Sequence, residues 1–400
     1  MSLSRSDLPN IACAYAPWPY YAPDEVAAVI RVMESGKVNY WTGQESREFE
    51  NEYAIAAGCT HAIALCNGTS ALELAIYALD LPPGSEIITT PRTFIASASC
   101  AIMRGCVPVF ADVDRVSQDI TAESIAKVIT PKTKAIIAVH LAGWACDMDP
   151  IMELAGHRDI KVIEDCAQAN GATYKGRPVG GLGHISAFSF CQDKIITTGG
   201  EGGMLTTNDE HLWSRAWSFK DHGKSWTAVY DREFVAGFRW LHESFGTNWR
   251  MTEIQAAIGR IQLRKLPEWK RIRQGNLRRL NEALSRFDCI RTTPAPPEIG
   301  HAAYKAYAFV RPEQLKEGWD RDRIMVEINE KGIPCFSGSC SEIYLEKAFT
   351  NSGCEQPSRL PVARELGETS LMFQIHPTLS EQNIDETLAT ISEVLERAAR

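Results

Sequence analysis

Three turns in this chain carry residue types that could do chemistry. In the first, Asn67-Gly68-Thr69-Ser70 follows a short apolar run and opens a stretch with Leu72, Ala75, Ile76 and Leu79 on one helical face. Free backbone N–H groups and hydroxyls at a helix N-terminus make a cradle for phosphate, and Gly68 lets the backbone come close. The same residues also read as a plain helix cap. In the second, a strand expected at 162–165 ends in Asp165, followed by Cys166, Ala167 and Gln168. A carboxylate at the end of an interior strand is poorly solvated and needs a cationic partner. A protonated pyridine nitrogen or a Mg2+ ion would serve, and the acid could equally cap the next helix. In the third, Ser189 and Lys194 precede Gly199-Gly200-Glu201-Gly202-Gly203. A single lysine is usually a solvated surface group. One that follows an apolar strand and precedes a glycine-rich stretch is sheltered enough to act as an amine nucleophile toward a carbonyl. The glycines alone say no more than a tight turn into the next strand.

The elements that must hold these turns alternate. Short apolar strands are expected at 62–65, 86–89, 107–110, 135–140, 162–165, 187–190 and 204–207, with helices at 70–79, 93–104, 122–129 and 150–157 between them. Such alternation predicts an α/β fold in which a mostly parallel seven-stranded sheet lies between helices. Ligands of such sheets sit at the carboxyl ends of the strands, where all three turns lie. Two helices come first, one starting at Pro23 and ended by Gly36, the other at 45–57 closed by Gly58. A long helix is expected from 251 to about 266, broken at Pro267. The chain is therefore divided into a large domain at 1–266 and a smaller C-terminal α/β domain at 267–400, with helices at 321–331 and 380–400 and strands at 307–310 and 333–336.

Composition narrows the function classes. The 400 residues are 44% hydrophobic and 23% charged with a net charge of −8, ordinary values for a folded chain. The densest basic run, Lys265 to Arg279, alternates with Leu266, Trp269, Ile272 and Leu277, and is read as the wet face of a helix rather than a polyanion site. Nucleic acid is not expected as a partner. Twelve cysteines show no C-x-x-C spacing, so neither a metal site nor a disulfide framework is expected. Residues 1–10 are polar and no apolar run nears the roughly 20 residues needed to cross a bilayer. A cytoplasmic protein with free thiols is the expectation.

Each turn is weak evidence alone, but their order is specific. With Trp41-Thr42-Gly43, Pro91-Arg92-Thr93-Phe94, Pro108-Val109-Phe110, Val139-His140-Leu141, Glu164-Asp165-Cys166-Ala167-Gln168, Phe188-Ser189-Phe190 and Asn248-Trp249-Arg250-Met251-Thr252-Glu253, the chain resembles the DegT/StrS family of sugar aminotransferases over roughly residues 42–266. The resemblance implies the aspartate-aminotransferase-type fold (fold type I) and pyridoxal 5'-phosphate as cofactor. It implies Lys194 as the Schiff-base lysine and Asp165 as the partner of the pyridine nitrogen. Gln168 would lie near the phenolic oxygen and Phe94 would stack on the ring. Gly68, Thr69, Ser70 and Ser189 would hold the phosphate, with Asn248 lent by the neighbouring subunit of a homodimer. Thr42, His140 and Lys305 would contact substrate. The partners implied are glutamate or glutamine as amino donor and a nucleotide-linked keto sugar as acceptor, giving an amino sugar for cell-surface polysaccharide or natural products. The same fold also serves cyclitol aminotransferases and sugar dehydratases, but the dehydratase branch has histidine where this chain has Lys194. Four features depart from the pattern: Cys191-Gln192-Asp193 before the lysine, the doubled Gly199-Gly200, the aromatic segment 224–246 with Trp226, Tyr230, Phe234, Phe238, Trp240 and Phe245, and the run 335–340. The aromatics are read as a packed local cluster rather than a substrate wall.

Overall fold

Apolar runs without a polar face become strands buried on both sides, and here they assemble into the predicted sheet. The computed structural model describes residues 15–233 and 237–400, so Phe234 and residues 1–10 lie outside the described residues. In chain order the strands are β1 (His61–Leu65), β2 (Glu86–Thr89), β3 (Val107–Phe110), β4 (Thr133–Val139), β5 (Lys161–Asp165), β6 (Thr173–Tyr174), β7 (Arg177–Pro178), β8 (Ile185–Ser189) and β9 (Gly203–Thr207), followed by β10 (Ile290–Thr292), β11 (Ile299–Gly300), β12 (Ala306–Val310), β13 (Cys335–Phe336) and β14 (Ser370–Phe373). A seven-stranded sheet has the order β1-β9-β8-β5-β4-β2-β3, and within it β9 runs antiparallel to both neighbours. The other pairings, β2 with β3, β2 with β4, β4 with β5 and β5 with β8, are parallel. The ends of β1, β5 and β8 therefore share one edge of the sheet.

Helices cover both faces of this sheet. Ala71, Leu72, Leu74 and Ala75 of the helix Gly68–Ala78 pack on one side with Leu205, Ala187 and Ile163, while Phe49 and Tyr53 of the helix Glu45–Ala57 pack on the other with Phe188, Phe190 and Met204. The helices Pro23–Ser35 and Glu45–Ala57 end as expected at Gly36 and Gly58, both in the left-handed region. A smaller sheet, order β10-β12-β14-β13, packs on the C-terminal helix Glu381–Ala398 through Ile391, Val394 and Leu395.

The expected break at Pro267 is not found. One helix runs from Glu253 to Leu284 with Pro267 inside it. Its first half buries Ala257 and Ile261 against Ala28 and Val32, and Gly259 sits so close to the Phe49 ring that a Cβ there would come within 2.6 Å. Its second half buries Leu280 and Leu284 in the core of the smaller sheet. Packing at both ends outweighs the ~3 kcal/mol penalty of an interior proline. The aromatic segment is only partly the expected cluster. Trp226 and Tyr230 pack with Trp213 and Trp217, but Phe238, Trp240 and Phe245 are 78%, 79% and 97% exposed.

Candidate active site

Strand β5 delivers Asp165 to the sheet edge, almost fully buried. Its Oδ2 accepts from Ser97 Oγ at 2.7 Å and its Oδ1 from the Ala167 backbone N–H at 3.1 Å. Burial raises its pKa, with Ser97, the Ala167 amide, Lys194 and His140 working in the opposite direction. Both hydrogen-bond donors are neutral, so the chemistry of the donor set still calls for a cation. Gln168 is buried one turn on, its Oε1 accepting from the Ala142 N–H at 3.0 Å.

Two residues past strand β1 stands Asn67, whose side-chain oxygen accepts from the Ser70 N–H at 2.8 Å and so starts the helix Gly68–Ala78. Across the edge, a Cβ on Gly68 would fall 2.6 Å from the Ser189 Cβ, so only glycine lets the helix N-terminus and the end of β8 approach this closely. The Ser189 hydroxyl accepts from the Cys191 N–H at 3.3 Å, Thr69 is exposed, and Ser70 Oγ lies 3.4 Å from Cys66 Sγ. The result is a cradle of backbone N–H groups and hydroxyls at the end of a helix, and phosphate fits it.

Lys194 follows β8 in a turn tied down by Trp18, whose Nε1 donates to the Lys194 carbonyl at 3.0 Å. Its Nζ lies 4.0 Å from Asp193 Oδ1 and 5.3 Å from the centre of the Tyr304 ring. Asp193 thus does turn toward the amine, and the Tyr304 hydroxyl donates to its other oxygen. Although burial opposes ionisation, Lys194, Tyr304 and Lys305 hold the Asp193 pKa below the ordinary value. The doubled glycine also has a reason: Gly199 and Gly200 have φ of +86° and +119°, a conformation that side chains rarely adopt. The run 335–340 reaches this edge as well, the Cys340 carbonyl accepting from the Thr93 N–H at 3.1 Å beside Phe94. Phe94 itself is 68% exposed.

The expected substrate contacts separate. Lys305 joins the Lys194 group: its Nζ lies 4.7 Å from the Tyr304 ring centre, and burial pulls its pKa down to about 8, with Asp193 opposing and Arg273 and Lys194 adding to the fall. His140 does not offer itself to substrate. Its ring is fully buried; Nδ1 accepts from the Cys146 N–H at 3.0 Å, which leaves Nε2 to donate to Glu164 at 3.0 Å. Glu164 also accepts from the N–H groups of Gly180, Leu182 and Gly183 and from Ser186 Oγ, so this pair is a satisfied buried support behind Asp165. Thr42 is exposed and its hydroxyl donates to the Asn39 carbonyl in its own turn. Asn248 is exposed, its Oδ1 3.5 Å from the Arg250 N–H.

Trp18 and Tyr304 escaped sequence reasoning, and so did Ser97 and Arg273. Ser97 lies in the expected helix, but only the fold shows that it faces Asp165. Arg273 sits inside the basic run read as a wet helix face, yet it is 1% exposed. The available signal was its spacing from Leu280 and Leu284, which puts it on the apolar stripe.

The sequence profile of the DegT/DnrJ/EryC1/StrS aminotransferase family matches residues 19–392. The chain is 35% identical over 393 residues to GDP-perosamine synthase of Caulobacter vibrioides, covering 98% of this chain and 100% of that one. It is 32% identical to 3-amino-5-hydroxybenzoate synthase of Amycolatopsis mediterranei, over 88% of each chain. The crystal structure of an aminotransferase from Psychrobacter cryohalolentis superposes with a TM-score of 0.94 at 55% identity, covering 96% of this chain and 99% of that chain. The fold type I architecture expected from the resemblance is thus the architecture found, and the chain belongs to the DegT/DnrJ/EryC1/StrS aminotransferase family.

Proposed function

We propose that the protein uses pyridoxal 5'-phosphate to move an amino group from glutamate or glutamine to a nucleotide-linked keto sugar. The observation that carries this reading is the convergence, at one sheet edge, of a buried carboxylate with only neutral donors, a half-buried lysine and a Gly68–Ser189 cradle. When bound, the cofactor supplies an electrophilic carbonyl and a protonated ring that takes up electrons. Lys194 Nζ would hold the cofactor at rest and, when free, would be the base that takes a proton from the donor's α-carbon and the acid that delivers one to the acceptor carbon. Asp165 keeps the proton on the ring nitrogen, because a carboxylate in this dry setting is stabilised by a cation at contact distance. Gly68, Thr69, Ser70 and Ser189 would hold the phosphate, with Gln168 and Phe94 as the residues to orient and cover the ring.

In this reading residues 1–266 form the cofactor lobe and residues 267–400 the small lobe, and the working unit is a homodimer in the cytoplasm, with Asn248 completing the partner's phosphate site. The exposed rings of Phe238, Trp240 and Phe245, the first two in contact, support a covered surface on this segment, since exposed large apolar groups clustered together mark an interface. The amino sugar produced would feed polysaccharide or natural-product assembly. Among the described residues no helix is long and apolar enough to cross a membrane.

The test is the visible spectrum of the protein reconstituted with pyridoxal phosphate. We expect a lysine-bound cofactor band that disappears on adding glutamate or glutamine and returns on adding nucleotide-linked 3-keto or 4-keto sugars, with the amino sugar seen by mass spectrometry. An unchanged band in Lys194→Ala sinks the assignment. Amination of a keto-inositol but of no nucleotide sugar replaces the acceptor, and loss of a hydroxyl without amination marks a dehydratase.

A further inference from the structure

A cavity of about 40 Å³ is lined by Trp18, Asp193, Arg273, Tyr304, Lys305 and His376, among others, and Asp193 on its wall lies 4.0 Å from the Lys194 amine. Arg273 enters it from the uninterrupted helix Glu253–Leu284, at a point the chain would not reach if Pro267 ended that helix. The Arg273 guanidinium lies 4.8 Å from the centre of the Trp18 ring, and stacking of this kind leaves the in-plane N–H groups free. Nη1 donates to the Tyr304 carbonyl at 3.3 Å, while Nε and Nη2 are buried and have no hydrogen-bond partner among the described residues. A buried cation with two open donors is a costly arrangement unless something fills them.

The charge around the cavity points the same way. Arg273 and Lys305 contribute two cations, and the acid on its wall, Asp193, is already engaged by the Tyr304 hydroxyl and lies 4.0 Å from the Lys194 amine. Burial depresses Arg273 to about 9, with Tyr304 opposing. His376 is driven down to about 3 by burial and by the nearby Arg273 and Lys305, so it stays neutral at physiological pH and adds no third cation. The cavity is one that an anion would relieve. Its size selects which anion: a water-sized group needs roughly 10–15 Å³, so there is room for about three heavy atoms, a carboxylate rather than a diphosphate.

We propose that Arg273, assisted by Lys305, binds a carboxylate of the amino-acid donor. The proposal rests on the aminotransferase reading for the identity of that carboxylate. A planar guanidinium with two open N–H groups on one edge matches a carboxylate in the bidentate manner that a lysine cannot reproduce. Binding there would set the donor's amine toward the Lys194 side of the cavity.

The experiment is calorimetric titration of the full-length protein with glutarate, which carries two carboxylates and no amine and so binds without reacting. Wild type is expected to bind glutarate, with affinity at least tenfold weaker in Arg273→Met and partly recovered in Arg273→Lys. The donor KM should rise in step while the keto-sugar KM and the visible cofactor band stay unchanged. Wild type that does not bind glutarate, or a folded Arg273→Met that binds it within twofold of wild type, overturns the proposal. If circular dichroism shows Arg273→Met unfolded, Lys305→Met decides the matter by the same criterion. Inorganic pyrophosphate displacing glutarate at equal or lower concentration also overturns it, in favour of the diphosphate of a nucleotide. Glutarate binding that depends on Arg273 in a protein without a lysine-bound cofactor band would keep the carboxylate site and reject the functional reading; a normal band with no glutarate binding would do the reverse.

Discussion

Ser97 Oγ stands 2.7 Å from Asp165 Oδ2 and 2.9 Å from Thr93 Oγ1. A carboxylate can only accept, so Ser97 gives its hydrogen to Asp165 and Thr93 gives its own to Ser97. This relay of two hydroxyls favours the ionised acid and so works against the burial that raises its pKa. Ser97→Ala removes one hydrogen bond to a charged group, worth about 1.5–3 kcal/mol. We expect the cofactor-free protein to melt several degrees lower, and apparent cofactor affinity, measured by titrating the visible band, to fall by about tenfold because the carboxylate that pairs with the ring cation loses its support.

Gly68→Ala should be worse than its size suggests. The added Cβ would lie 2.6 Å from the Ser189 Cβ and 3.1 Å from its Cα, so the turn after β1 and the end of β8 must move apart. Overpacking of this kind costs about 1–3 kcal/mol. Differential scanning calorimetry should show that loss in the cofactor-free protein, and dialysis should strip the cofactor from the variant faster than from wild type.

A buried ion pair behind the site gives a stability prediction. Lys220 Nζ, fully buried, lies 2.9 Å from Glu50 Oε1, and that same oxygen accepts from the Ala64 N–H of β1. Lys220→Met leaves Glu50 without its countercharge in a dry place, at a cost of about 3–5 kcal/mol. The double variant Lys220→Met with Glu50→Gln should recover most of it, as read from urea unfolding midpoints.

Acid should destabilise the fold through two histidines. Burial pulls His301 down to about 4, Lys270 adding to it, and burial with Arg273 and Lys305 pulls His376 down to about 3. The unfolded chain binds protons near pH 6.5, the folded one only below 4 or 3, so the unfolded state holds more protons between those limits. The stability from keeping these rings neutral is complete above pH 6.5 and is lost as pH falls toward 4 and 3. His376→Asn should flatten the slope of unfolding free energy against pH by up to about 1.4 kcal/mol per unit in that window, checked by urea melts between pH 7 and 4.5.

Much of the site was legible in the sequence because each piece is local. A strand, a turn and a helix start are encoded by neighbouring residues, so Asn67 through Ser70, Asp165 and Lys194 could be recognised one turn at a time and ordered along the chain. The alternation of apolar runs likewise fixed the sheet, and Gly36 and Gly58 ended their helices where a left-handed residue was needed. What failed was whatever depended on distant packing. Pro267 was a sound local reason to end a helix, but Phe49, Val32 and the small-sheet core hold it together from outside. His140 stood at the right edge, and only the pairing with Glu164 turned its ring inward.

By itself, then, the chain's order of helix-opening turn, strand-end acid and lysine determined that these groups share one sheet edge, since they are set on parallel strands whose ends must meet. The tertiary structure decided which charges are solvated. Arg273 belongs to a run of lysines and arginines that look alike in sequence, and burial depends on what Trp18, Tyr304 and His376 lay over one face of the helix. That contact made it a 1% exposed guanidinium with two open donors instead of one more surface charge.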